Sequence, residues 1–174
     1  MQSLAEQVLD DLLRDDLDIV FCGTQAGTAS ALKRAYYAGP GNRFWPTLYE
    51  TGLVPLRLQP NAYRQLLDFR IGLTDVAKRT FGPDSSLRRD HFDADGFRRK
   101  IERHAPRIVA FNGKKAAAVA LQSPAAVLRY GRQDLTIGRS KVFVLPSTSG
   151  AASGFWDLEP WRALAADMRR AALT

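Results

Sequence analysis

Three short apolar runs constrain this chain most. Asp18–Cys22 (DIVFC), Arg107–Phe111 (RIVAF) and Val142–Leu145 (VFVL) are rich in β-branched and aromatic residues. Each passes directly into a loop of small, hydroxyl or amide residues: Gly23-Thr24-Gln25-Ala26-Gly27, Asn112-Gly113-Lys114-Lys115 and Pro146-Ser147-Thr148-Ser149-Gly150. Short apolar runs without polar alternation fit strands buried on both faces. Helical segments lie between them, so the strands run mainly parallel and helices cover both sides. The expected fold is α/β, a three-layer α/β/α sandwich. In an open sheet of this kind the loops at the carboxyl ends of the strands line the ligand crevice. Residues 23–27, 112–115 and 146–151 are therefore candidates for one site.

The remaining pattern fits that frame. Ser3 and Glu6 have capping-box spacing, and Leu4, Val8, Leu9, Leu12 and Leu13 form an apolar face, so a first helix is expected over Ser3–Arg14. Asn42 can cap a helix through Tyr49 that Gly52 closes, with Pro46 in its first turns. Further helices are expected over Asn61–Phe69, from Asp93 or Asp95 to His104, over the Ala-rich stretch to Leu121, and over Pro160–Leu173. Leu135–Ile137 pairs with Val142–Leu145 about a turn at Gly138. Nothing marks a linker or a repeat, so residues 1–174 are expected to form a single domain.

Composition narrows the function. The chain carries 25 Lys and Arg against 18 Asp and Glu, a formal charge of +7. Met1–Asp18 holds six carboxylates and one arginine, so all of the positive excess lies beyond it. A basic body suits either a polyanionic partner or simple solubility. Eleven of the cations fall in Lys78–Lys115, either as a solvated face or as a nucleic-acid contact. No apolar run is long enough to span a bilayer and no secretory signal opens the chain, so no membrane partner is expected. The single cysteine, Cys22, and the missing signal suggest a cytoplasmic location. With two histidines and one cysteine no zinc set can be assembled, so neither a metal nor another cofactor is expected.

Three constellations carry chemistry. Gly23-x-x-x-Gly27 after a strand can cradle a phosphate or simply turn the chain; it has neither the dinucleotide spacing nor the Lys-Ser/Thr of a triphosphate loop. Tyr36-Tyr37 before Gly39-Pro40-Gly41 places rigid rings where a base can stack. Tyr37 is the better candidate for an exposed ring, while Phe44 and Trp45 read as core anchors. Ser147, Thr148 and Ser149 offer hydroxyls and backbone N–H groups that suit phosphate contacts.

Taken in order, GTQAG (23–27), YAGPGNRFW (37–45), GLTDVAKR (72–79), PRIVAFNGK (106–114) and LPSTSG (145–150) resemble the uracil-DNA glycosylase superfamily, closest to its mismatch-specific uracil/thymine branch. The resemblance covers roughly Ile19–Met168. It implies a central, mainly parallel four-stranded sheet and a monofunctional, cofactor-free hydrolase that excises uracil or another deaminated base from DNA, acting as a monomer. Residue by residue, it implies that Gln25 takes the place of the residue orienting the attacking water and Asp75 that of the residue contacting the pyrimidine edge; Asp75 could alternatively position the water or stabilise the sugar cation. It further implies that Gly23, Thr24, Ala26, Gly27, Tyr37 and Asn112 bind the flipped base. Arg43, Lys114, Ser147, Thr148, Ser149, Gly150 and Ala151 would grip the DNA.

The chemistry explains such a set. Breaking an N-glycosidic bond builds positive charge on the sugar and negative charge on the departing base. Flipping the nucleotide costs unstacking energy that ring stacking and phosphate contacts offset.

Four departures from the family pattern stand out. Gln25 occupies the position usually held by a water-orienting Asn, and its extra methylene displaces the amide by ~1.5 Å. Ala26 replaces the usual Pro, and Asp75 replaces a residue that is often Asn. When ionised, Asp75 can only accept, which suits the N3–H of uracil or the N1–H of hypoxanthine. Ala151 stands where relatives carry a Leu or Arg wedge, leaving Phe155, Trp156 or an arginine to fill the vacated stack. Together these departures keep open an alternative, a DNA-binding module that retains the fold without catalysis. The acidic N-terminal segment is expected to lie away from the DNA.

Overall fold

The computed structural model describes residues 7–173. Its centre is one five-stranded sheet in the order β2-β1-β3-β5-β4. Strands β1 (Ile19–Gly23), β2 (Ile71–Asp75), β3 (Ile108–Asn112) and β5 (Ser140–Leu145) run parallel, and β4 (Gly131–Ile137) returns antiparallel along β5. The sheet thus has one strand more than the four expected. The extra strand is β2, whose Gly72, Thr74 and Asp75 hide the apolar pattern that marks β1 and β3.

The alternation of side chains in β1 divides the core. Ile19 and Phe21 enter one apolar cluster with Phe44, Trp45 and Leu48 of α2 (Phe44–Glu50) and Trp161 and Leu164 of α5 (Glu159–Ala171). Val20 and Cys22 enter the other, with Phe97 and Ile101 of α3 (Ala94–His104) and Ala116 and Ala117 of α4 (Lys114–Leu121). Both faces are therefore covered, as the unbroken apolar runs require. Asp93 caps α3 by accepting from the Gly96 N–H, as its sequence suggests. A 3-10 helix spans Pro60–Phe69, and a short α1 (Thr28–Lys33), not foreseen in the sequence, follows the first loop.

The N-terminal expectation is corrected. Residues 3–6 lie outside the described residues, and 7–14 form no helix. Leu12 instead exchanges two backbone hydrogen bonds with Leu73, each 2.9 Å, along the outer edge of β2. An uncovered sheet edge leaves N–H and C=O groups unpaired, and pairing them outweighs a helix whose apolar face is wanted at the same edge. Leu9 and Leu12 are buried there. The segment does not stand apart from the crevice, because Leu9 lines it. Asp11 turns inward to Lys78 (3.0 Å), Lys100 (2.7 Å) and the Thr74 hydroxyl (2.7 Å). Burial opposes the charge on Asp11, but the two ammonium groups and the hydroxyl outweigh it and hold the carboxyl below its usual range.

Candidate active site

A cleft of about 720 Å³ opens at the carboxyl ends of β1, β2, β3 and β5. It is lined by Gly23, Thr24, Gln25, Ala26, Gly27, Tyr37, Asp75, Asn112, Lys114 and residues 147–151, which is every residue nominated from sequence except Arg43. The parallel register explains the convergence: Gly23 pairs with Asp75 across β1 and β2, and Asn112 with Leu145 across β3 and β5. Leu9, Gly82, Pro83, Asp84 and Tyr130 also line the cleft. None of them carries a spacing signal; only the Gly82-Pro83-Asp84 turn chemistry could have drawn attention to that loop.

Asp75 sits at the floor. Its residue is 5% exposed, and no described residue donates a hydrogen bond to its carboxylate. Burial is the main cause that pushes its pKa from 3.8 up to about 6; Asp11 and Asp84 add to the rise, while Lys78 and Lys100 oppose it. Gly23 is what admits the carboxylate, since a Cβ there would lie 2.6 Å from Asp75 Oδ1 and 3.3 Å from the Tyr37 hydroxyl.

Tyr37 stands over the same point. Its ring is half-buried and packs on Phe44 with centroids 4.0 Å apart at 30°. Its backbone takes φ +54°, a left-handed conformation that costs a residue with a Cβ about 1–2 kcal/mol. Its hydroxyl is buried without a hydrogen-bond partner among the described residues. Burial first and the Asp75 charge second push the phenol well above its usual pKa. The Asn112 amide lies near enough to favour the phenolate, but no hydrogen bond closes.

Asn112 is held by Thr148 at both ends: its Nδ2 donates to Thr148 Oγ1 (2.9 Å) and its Oδ1 accepts from the Thr148 N–H (3.0 Å). Thr148 therefore departs from the expected phosphate contact. It is fully buried and its hydroxyl serves Asn112.

Gln25 also differs from a water-orienting amide. Its Nε2 lies within donating distance of Gly82 O (3.2 Å), Pro83 O (2.9 Å) and Ser86 Oγ (3.0 Å), and its Oε1 accepts from Thr80 Oγ1 (2.7 Å). The extra methylene lets the amide reach this loop, where its N–H donors are spent and its oxygen accepts from Thr80. Thr24 Oγ1 bonds Asp84 Oδ1, and the Gly82 N–H donates to Ala26 O (2.8 Å). The 80–86 loop is thereby fastened to the first loop as one wall of the cleft.

The rim is basic and aromatic. Lys114 lies 4.6 Å over the Tyr130 ring. Arg43 lies outside the lining, 5.3 Å over the Trp156 ring, with a buried Nη1 lacking a partner among the described residues and its backbone N–H donating to Thr148 O (2.9 Å). Ser147 and Ser149 stay half-buried at the mouth, while Gly150 and Ala151 are exposed. Trp156 packs on Trp161, whereas Phe155 lines the cleft and is 77% exposed.

Residues 11–165 match the sequence profile of the Uracil DNA glycosylase superfamily. The chain belongs to that superfamily. The fold agrees. The solution NMR structure of a candidate uracil DNA glycosylase from Methanosarcina acetivorans superposes with a TM-score of 0.64 at 22% identity, covering 92% of this chain and 96% of that one. The superfamily membership implies a DNA substrate and supports a uracil-DNA glycosylase-like function. No helix among the described residues is long and apolar enough to cross a membrane.

Proposed function

We propose that this chain is a monofunctional uracil-DNA glycosylase of the mismatch-specific type, in which Asp75 rather than Gln25 holds the attacking water. One observation carries the reading: a buried carboxylate at the cleft floor accepts no hydrogen bond from any described residue, while the amide of Gln25 is committed to the 80–86 loop. With a pKa near 6, Asp75 is ionised at neutral pH yet basic enough to accept a proton.

In the reaction, the water oxygen attacks C1′ as the C1′–N bond breaks. The base departs with the bonding electrons, and the water's proton passes to Asp75. The carboxylate charge also opposes the positive charge developing on the sugar. Tyr37 stacks on the flipped base. Phe155 serves as the wedge, since an exposed ring at the cleft mouth can fill the stack where Ala151 cannot. Lys114, Ser147, Ser149 and Arg43 contact the strand. The substrate is DNA containing uracil or another base with an N–H on its pairing edge, and the enzyme acts as a single-domain monomer.

Incubation with uracil-containing DNA followed by alkali should give strand breaks at the uracil. No breaks above a buffer control would refute the enzyme. The committed amide of Gln25 also favours a second reading, a DNA-binding module without turnover. Tight, salt-sensitive binding to uracil or abasic DNA with no base release would select it.

A further inference from the structure

Tyr37 combines two unfavourable features: a left-handed backbone at a residue with a Cβ, and a buried hydroxyl without a partner among the described residues. Stacking requires neither, because a phenylalanine ring would stack as well. Such features persist where surrounding structure enforces them, most often at functional sites. The unpartnered hydroxyl and the unpartnered Asp75 carboxylate border the same point above Gly23, 3.3 and 2.6 Å from where a Cβ would stand. Those limits put the two oxygens within about 6 Å, a span that one water bridges with two hydrogen bonds of about 2.8 Å.

We propose that the Tyr37 hydroxyl is a positioning group for Asp75, donating to a water that in turn donates to the carboxylate and so fixing the oxygen that receives the proton. The proposal rests on the glycosylase reading above and adds a second role for a residue otherwise assigned only to stacking. The phenol is suited to donate because its own ionisation is suppressed by burial and by the Asp75 charge. Asn112, whose amide lies near the phenol, is held in place by Thr148. Hydrogen bonds thus tie the 146–151 loop to Asn112, and the proposed water would link the Tyr37 hydroxyl to Asp75. The other titratable or charged groups acting on Asp75 are Lys78 and Asp84 from the following loop, Lys100 from α3 and Asp11 from the N-terminal segment. Cys22 on β1 also feels its charge.

The test compares Tyr37→Phe with the native protein on uracil-containing DNA. Loss of one hydrogen bond to a charge-bearing unit should lower the single-turnover rate about tenfold while leaving DNA affinity within about twofold. The acid limb of the pH–rate profile should also move to higher pH, because the ionised carboxylate loses a donor. A rate within twofold of native with an unmoved acid limb would overturn the proposal, as would a loss confined to DNA affinity. If the native protein releases no base, the glycosylase reading fails, but the proposal is still decided by NMR titration of the Asp75 carboxyl in both proteins. A higher midpoint in Tyr37→Phe supports it, and coincident midpoints refute it.

Discussion

Above neutral pH the folded protein carries the Asp75 charge at a loss, and removing that charge should stabilise the molecule while stopping the chemistry. The carboxyl titrates at about 6 in the fold against an ordinary 3.8. Ionising it therefore costs about 3 kcal/mol more in the folded than in the unfolded state. Because the folded value is the higher one, the unfolded chain loses its proton first as pH rises. The penalty is nearly absent below pH 3, is only about 0.6 kcal/mol at pH 4, grows to pH 6, and is complete above pH 7. Asp75→Asn abolishes the titration and breaks no hydrogen bond with a described residue, though an unpaired amide costs about 1 kcal/mol. The net gain should be about 2 kcal/mol at pH 8, or roughly 4–8 °C in Tm for a chain of this size. At pH 4 the variant should match the native protein or fall slightly below it. Paired thermal or urea melts at the two pH values measure this, and base release by the variant should fall at least about a hundredfold. A variant less stable than native at pH 8, or a stability difference that does not change with pH, would refute the burial argument.

Other perturbations test the remaining parts. Gly23→Ala places a Cβ 2.6 Å from Asp75 Oδ1, so the carboxylate must move; base release should drop about a hundredfold with DNA binding retained, as gel-shift titration would show. Gln25→Ala should unfasten the 80–86 loop, costing about 1–3 kcal/mol and exposing that loop to protease before global unfolding. Intact digestion kinetics would count against the latch. Phe155→Ala should slow base release from duplex DNA about tenfold and from single-stranded DNA hardly at all, because only the duplex has a stack to fill. Equal losses on both substrates would remove the wedge assignment.

Residues that act through local backbone chemistry were legible from the sequence. Asp18–Cys22 and Arg107–Phe111 announce buried strands by their unbroken apolar content, and the loops that follow them must fall at one end of a parallel sheet. That rule alone brings Gly23–Gly27, Asn112 and residues 147–151 to one cleft. Asp93 marks its helix because a cap needs only a side-chain oxygen and an adjacent free N–H. By contrast, β2 depends on pairing with β1, and its Gly72 and Thr74 give no sign of that partner. The Leu-rich residues 7–14 have helical spacing, but the exposed edge of β2 recruits them as extended backbone.

The same division holds within the site. The sequence nominates Gln25, Tyr37 and Thr148 by type and position and Asp75 only through the family resemblance, yet a side chain's role depends on which atoms meet it. Gln25 is spent on a loop some 55–60 residues away and Thr148 on Asn112 across the β3–β5 seam. The Asp75 carboxylate and the Tyr37 hydroxyl are left without hydrogen-bond partners among the described residues, above a glycine. The sequence by itself determined the strand–loop order, and with it the end of the sheet where the cleft would open. Only the tertiary structure decided which polar groups remain free there, because hydrogen-bond satisfaction is a property of the atoms assembled around a group and not of the group itself.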